Sequence, residues 1–184
     1  MSSYVIILNR LPAALFRVIS EYTNVAALFL TCKELYGGDV RKEVVYLSLK
    51  DEDVAMRFYR DDAFRTYVYS KVQNPSRQIS LNLFDCSGVT DVSALGKVHT
   101  LNLSRCSEVA DVSAVGKVHT LDLSDCSGVT DVSALEKVHT LNLSNCFGVT
   151  DVSALGKVHT LDLSGCSKVT DVSALGKVHT LVLR

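Results

Sequence analysis

The sequence predicts an α+β protein, a short helical module followed by a solenoid of stacked rungs, and three observations predict it. The composition changes near residue 80. Residues 1–80 hold 11 of the 13 aromatic residues and both prolines, with 11 basic against 9 acidic groups, whereas residues 81–184 carry 8 basic against 11 acidic groups and all five histidines. The second part repeats every 20 residues, with nearly the same string beginning at Leu81, Leu101, Leu121, Leu141 and Leu161 and a sixth start at Leu181. Within each unit the apolar positions are regular, first two apart and then three apart.

The whole chain sets outer bounds. With 184 residues, 47% of them hydrophobic and 21% charged, it can bury a core. A net charge of −1 argues against a surface that neutralises duplex phosphates, so no nucleic-acid partner is expected. The longest apolar runs, Val5 to Leu8 and Val25 to Leu30, fall far short of the roughly 18 residues of a membrane span. No basic segment and cleavage site of a signal peptide is visible. The expectation is a soluble intracellular protein with reduced thiols and no membrane partner.

From the amino terminus, Asn9 caps a helix with Pro12 in its first turn, and Leu11, Leu15, Val18, Ile19 and Tyr22 follow at helical spacing. Thr23-Asn24 breaks it. Val25, Leu28, Phe29, Cys32, Leu35 and Tyr36 form a second apolar stripe that Gly37-Gly38 stops. A module of residues 1–39 is too small to close a core alone. Residues 40–78 read as a connector and amino-terminal cap of the array: Val45, Leu47 and Leu49 alternate as a strand. Asp51 caps a helix carrying Val54, Phe58 and Tyr59, and Asp61-Asp62 starts another carrying Phe64, Val68 and Val72.

Residues 79–184 are the array, five repeats and a terminal strand. In the second rung the apolar positions are Leu101, Leu103, Cys106, Val109, Val112, Val115 and Val118. Leu-x-Leu makes a short strand with both leucines on one face. The later spacing of three suits a tight coil or 3₁₀ turn. Seven apolar side chains do not offset the entropy of ordering twenty residues, so the rungs must share one core. The chain stops inside the strand at Leu181-Val182-Leu183, so the last rung is expected to be covered on one side only and to fray or pair.

At these residues the array resembles a leucine-rich repeat. The string Leu-x-Leu-x-x-Cys-x-x-Val-Thr-Asp-Val, with Cys where Asn is usual, is similar to the cysteine-containing variety over Ile79 to Arg184. That resemblance implies a parallel sheet on the concave side, and the short unit leaves no room for a convex helix. Residues 9–45, with Leu-Pro-x-x-Leu, Ile19, Tyr22, Val25, Leu28, Thr-Cys-Lys and Leu35-Tyr36, resemble an F-box, although Ala14 replaces its usual acidic residue and its Trp is absent. The near-identical rungs also resemble the duplicated F-box and repeat proteins of giant DNA viruses, which would place the protein in a host cytoplasm. The resemblance implies that Leu11, Pro12, Leu15, Ile19, Val25, Leu28, Cys32 and Leu35 dock a Skp-type adaptor and, through it, a cullin ubiquitin ligase. The repeats would then present an unknown target protein. The alternatives are a plain interaction scaffold, in which the same helices serve only as a cap, and a piece of a longer array.

Three ladders carry titratable groups. Cys86, Cys106, Cys126, Cys146 and Cys166 have no C-x-x-C pairing and read as a buried column of thiols, not a metal or redox site. His99, His119, His139, His159 and His179 read as an exposed column whose parallel rings do not converge on a metal. Asp91, Asp111, Asp131, Asp151 and Asp171 precede Val-Ser-Ala and read as local caps. No catalytic motif is present, and equivalent rungs do not build one unique constellation, so no enzyme activity, metal or cofactor is expected. Binding specificity must lie where the copies differ. On the concave face the candidates are Asn82, Phe84, Asp85, Asn102, Arg105, Asp122, Asp125, Asn142, Asn145 and Asp162.

Overall fold

The computed structural model describes residues 4–7, 44–71 and 75–183. The predicted adaptor-docking residues Leu11, Pro12, Leu15, Ile19, Val25, Leu28, Cys32 and Leu35 lie outside them, as does Val72. Strand β1 (Tyr4–Ile7) and strand β2 (Val44–Leu49) are followed by helices α1 (Glu52–Arg60), α2 (Asp62–Lys71) and α3 (Pro75–Gln78). Six short strands follow at the start of the rungs: β3 (Ile79–Asn82), β4 (Thr100–Asn102), β5 (Thr120–Asp122), β6 (Thr140–Asn142), β7 (Thr160–Asp162) and β8 (Thr180–Val182). All eight lie in one parallel sheet in sequence order. β1 pairs with β2 ahead of the array, a strand that the apolar run at Val5 did not assign.

The register is set by the repeat: Leu101 pairs with Leu121, Leu121 with Leu141 and Leu141 with Leu161. Parallel neighbours 20 residues apart place each side chain over its copy, at the ~4.8 Å spacing of adjacent strands. The spacing of three has a direct cause. Cys106 N–H donates to Leu103 O at 2.9 Å and Val109 N–H to Cys106 O at 3.1 Å; Val115 N–H donates to Val112 O and Val118 N–H to Val115 O, both at 3.1 Å. Cys106, Val109, Val115 and Val118 thus each bond to the apolar residue three before them. This satisfies buried backbone groups inside the rung and leaves most of the residues between in solvent, Ser104 and Gly116 being buried. Ser113–Val115 and its counterparts are 3₁₀ turns, and no rung among the described residues carries a convex α-helix. All seven predicted apolar positions of the second rung are buried in a core continuous through the array.

The helices close the amino-terminal end of the stack. Asp51 caps α1, its carboxylate accepting from Val54 N–H at 3.2 Å. Asp61 starts α2 in the same way, accepting from Phe64 N–H at 2.9 Å. That amide bond is the main cause holding the Asp61 carboxyl below its usual range. Arg65, 8% exposed, donates to Phe58 O at 2.9 Å and Tyr59 O at 2.7 Å, capping the open carbonyls of α1, and pairs with Asp62. Phe58 is fully buried and meets Tyr69 edge-on at 5.4 Å. Two tyrosines fasten this unit to the first rung. Tyr59 OH accepts from Thr90 N–H at 3.1 Å and Asp91 N–H at 3.3 Å, and Tyr69 OH donates to Ala94 O at 3.3 Å. Burial pushes the Tyr69 hydroxyl up to about 12, so it stays a donor.

At the far end the cover thins. Val178 and Leu181 are half-buried and Leu183 is 49% exposed, whereas Val118, Leu121 and Leu123 are buried. Among the described residues no helix is long and apolar enough to cross a membrane.

Candidate functional site

The face made by β3 to β8 carries the predicted target-binding residues, and the structure divides them into two kinds. The first are turned toward their own chain. Asn102 Oδ1 accepts from Ser104 N–H at 2.9 Å and from its hydroxyl at 2.7 Å; Asp122 does the same for Ser124 at 2.9 and 2.7 Å. Asn142 accepts from Ser144 N–H at 2.9 Å, Asp162 from Ser164 N–H at 2.8 Å and Asn82 from Phe84 N–H at 3.3 Å. Each is half-buried and closes the turn that ends its strand.

The second kind stand on that turn, Asp85, Arg105 and Asp125 exposed and Asn145 half-buried. Asp85, Arg105, Asp125 and Asn145 have φ between 59° and 63°, and Gly165 has φ 73°. This is the left-handed region, which Asp, Asn and Gly tolerate and arginine does not favour. The pattern Asp, Arg, Asp, Asn, Gly at one repeat position was legible as a left-handed signature with one exception, but sequence reasoning took it only as variation. Arg105 sets its guanidinium 5.3 Å from the ring centroid of Phe84, which is 46% exposed. Asn145 Nδ2 donates to Asp125 Oδ1 at 3.0 Å, and Phe147, 53% exposed, stands two residues beyond Asn145.

The cysteine column is buried, and its chemistry differs from the expected apolar stack. Cys106, Cys126, Cys146 and Cys166 each donate an S–H to the carbonyl of the leucine 23 residues earlier, at 3.1, 3.0, 3.0 and 3.0 Å. Burial pushes the thiols up, to about 11 at Cys106 and about 12 at Cys126 and Cys146, so they remain protonated. A hydroxyl placed here meets an acceptor already in position. Cys126→Ser is therefore expected to destabilise by less than about 1 kcal/mol, below the ~1–3 kcal/mol of an unpaired buried hydroxyl, and Cys126→Val, which overpacks the site, by about 1–3 kcal/mol. Denaturant midpoints rank the two, and a chelator is expected to move neither.

No protein-family profile and no curated protein matches this chain. Solved structures do. One is internalin C2 of Listeria monocytogenes, 16% identical, with a TM-score of 0.35, over 58% of this chain and 61% of that one. Another is the functional domain of InlJ of Listeria monocytogenes, described as including a cysteine ladder, 17% identical, with a TM-score of 0.31, over 59% of this chain and 35% of that one. The chain thus spans about three fifths and about one third of the lengths of these two proteins.

The remaining ladders line other sides of the array. Asp91, Asp111, Asp131, Asp151 and Asp171 accept from the N–H of the serine two residues on at 2.8–2.9 Å. Bonds from that serine, its amide first and at Asp111 its hydroxyl first, hold these carboxyls below the usual range. His119, His139, His159 and His179 stack at centroid distances of 4.5–4.6 Å, and each Nδ1 lies 3.2 Å from the following threonine hydroxyl. His99 Nδ1 faces Ser76 O at 3.0 Å, so that nitrogen carries the hydrogen. Among the described residues no three His, Cys, Asp or Glu side chains converge on a point.

The imidazole column has a pH consequence. Burial first, then the charge of neighbouring imidazoles, lowers His119 and His159 below the ordinary value of 6.5. As pH falls past 6.5, His119 and His159 take up protons in the unfolded chain before they do in the folded array, so stability declines until their folded values are passed. The aspartates act lower. Their stabilisation is present above 3.8 and is lost as pH falls through the depressed folded values. Melting temperatures are expected to fall between about pH 7.5 and 5.5, and His119→Gln is expected to flatten that slope.

Proposed function

We propose that the protein is a non-catalytic interaction scaffold whose repeat array binds a target protein along the turns that follow the strands. One observation carries this reading: the copies are nearly identical over the back of the solenoid and differ mainly at Phe84, Arg105, Glu108, Asn145, Phe147, Gly165 and Lys168, on or next to those turns. Identical ladders offer a partner several equivalent registers, and unique side chains supply one. Reverting Phe84→Ser, Arg105→Asp and Phe147→Ser in the full chain keeps the rungs in the pattern of their neighbours. Partners captured by the wild-type chain and lost by this variant support the scaffold; an unchanged set of partners refutes it.

The finer reading is an adaptor for a cullin ubiquitin ligase, which would bring a target near the ligase by raising its effective concentration without making a bond itself. Its support is the Leu11-Pro12 to Leu35 string. Leu11→Ala with Pro12→Ala is expected to abolish pull-down of a Skp-type adaptor while leaving the melting of the array unchanged. A wild-type chain that retrieves no adaptor leaves the scaffold standing and removes the ligase role.

A further inference from the structure

Arg105 breaks the pattern of the repeat in two independent ways. Its backbone φ is 63°, a conformation that places the β-carbon against the following carbonyl, and the equivalent residues Asp85, Asp125, Asn145 and Gly165 are all types that accept it. Its side chain lies over Phe84, which stands where the next four rungs carry serine. An exposed residue held at a conformational disadvantage, next to an exposed aromatic ring, points to a role in binding.

The charges around it narrow the ligand. Asp85 and Asp125 occupy the same position in the rungs on either side, and Glu108 lies three residues on. Among the described residues none forms an ion pair with Arg105. The guanidinium rests on the Phe84 ring, so its planar fork is pre-ordered and its N–H groups are left for an external acceptor. A carboxylate brought to the second rung is repelled by Asp85, Glu108 and Asp125 and attracted at Arg105, while the other cations near these turns, Arg60 beside Gly88 and Lys168 of the fifth rung, belong to other rungs, so the charges around Arg105 favour one register.

We infer that Arg105, supported by Phe84, is the anchor that binds a carboxylate of a partner polypeptide, with an adjacent apolar side chain of the partner covering the exposed Phe84 ring. The carboxylate comes from an Asp or Glu side chain or from a chain terminus; a two-pronged bond to the guanidinium serves either. This rests on the scaffold reading and names the chemistry of its partner.

The test uses the 184-residue chain and two peptide arrays of the same random sequences, one ending in free carboxylates and one amidated. Bound peptides are expected to carry a carboxylate next to an apolar residue. Retention on the amidated array assigns a side chain; loss there assigns the terminus. Arg105→Asn places the residue of the fourth rung at this position. It is expected to weaken the selected peptides at least about tenfold while raising the melting temperature by about 2–4 °C, because asparagine accepts the left-handed backbone. Arg105→Lys retains the charge without the fork and is expected to restore only part of the affinity. Peptides that bind wild type and Arg105→Asn equally overturn the inference and leave the scaffold reading intact. Absence of binding to any peptide overturns the inference, and only the partner capture described above then decides the scaffold. A lower melting temperature in Arg105→Asn overturns the strain on which the inference stands.

Discussion

Leu121→Ala is expected to lower the unfolding free energy by about 2–5 kcal/mol, and Leu181→Ala by much less. Leu121 is 1% exposed, with Leu101 on one side and Leu141 on the other in the parallel register. Its truncation leaves a cavity bounded by copies of itself, which the backbone ladders above and below prevent from collapsing. Leu181 is half-buried and pairs with Leu161. In a linear stack stability is approximately a sum of rung terms and nearest-neighbour terms, so a central rung counts in two interfaces. The central substitution is also expected to broaden the unfolding transition, because it weakens the coupling between the two ends. Hydrogen exchange in the wild-type chain gives the matching result: amides of residues 121–143 are expected to exchange much more slowly than those of 177–183. Equal sensitivity of Leu121 and Leu181 to truncation would show that the stack does not behave as a chain of neighbour contacts.

The second large effect belongs to the amino-terminal helices. Phe58→Ala is expected to cost about 3–5 kcal/mol and to release α1 and α2 from the first rung. The ring is fully buried against Tyr69, and the carbonyl of the same residue is held by Arg65. Loss of the ring loosens the contacts that let Tyr59 accept from Thr90 and Asp91 and let Tyr69 donate to Ala94. The chain has no tryptophan, and all seven tyrosines precede residue 80, so tyrosine fluorescence reports on this end alone. In the variant the fluorescence transition is expected to precede the loss of strand signal in circular dichroism. Coincident transitions would mean that the cap and the array unfold as one unit.

Legibility followed the locality of the interaction. Asp51 and Asp61 were readable as caps because a carboxylate three residues before a free amide needs only local geometry. The 3₁₀ turns at Ser113–Val115 and its counterparts were readable because apolar residues three apart fit one tight coil. The concave candidates were located but not sorted. Asn102 and Asp122 look like ligand contacts as letters in a strand, and only their distance to Ser104 and Ser124 shows that they close turns. The cysteines were readable as buried, and the direction of their S–H bonds was not.

What the sequence determined by itself is the rung: its period, its strand, its coil of three-residue steps and the seven apolar positions that each copy turns toward the core, all written in a pattern of about twenty residues. The tertiary structure decided what happens between rungs and at the ends. It joined β1 to β2 ahead of the array, aimed the thiols of Cys106, Cys126, Cys146 and Cys166 at the preceding rung's leucine carbonyl and set Arg105 over Phe84 on a left-handed backbone. Each of these depends on two segments that meet only after the stack has formed, and a linear pattern carries the identities of both partners but not the register in which they meet.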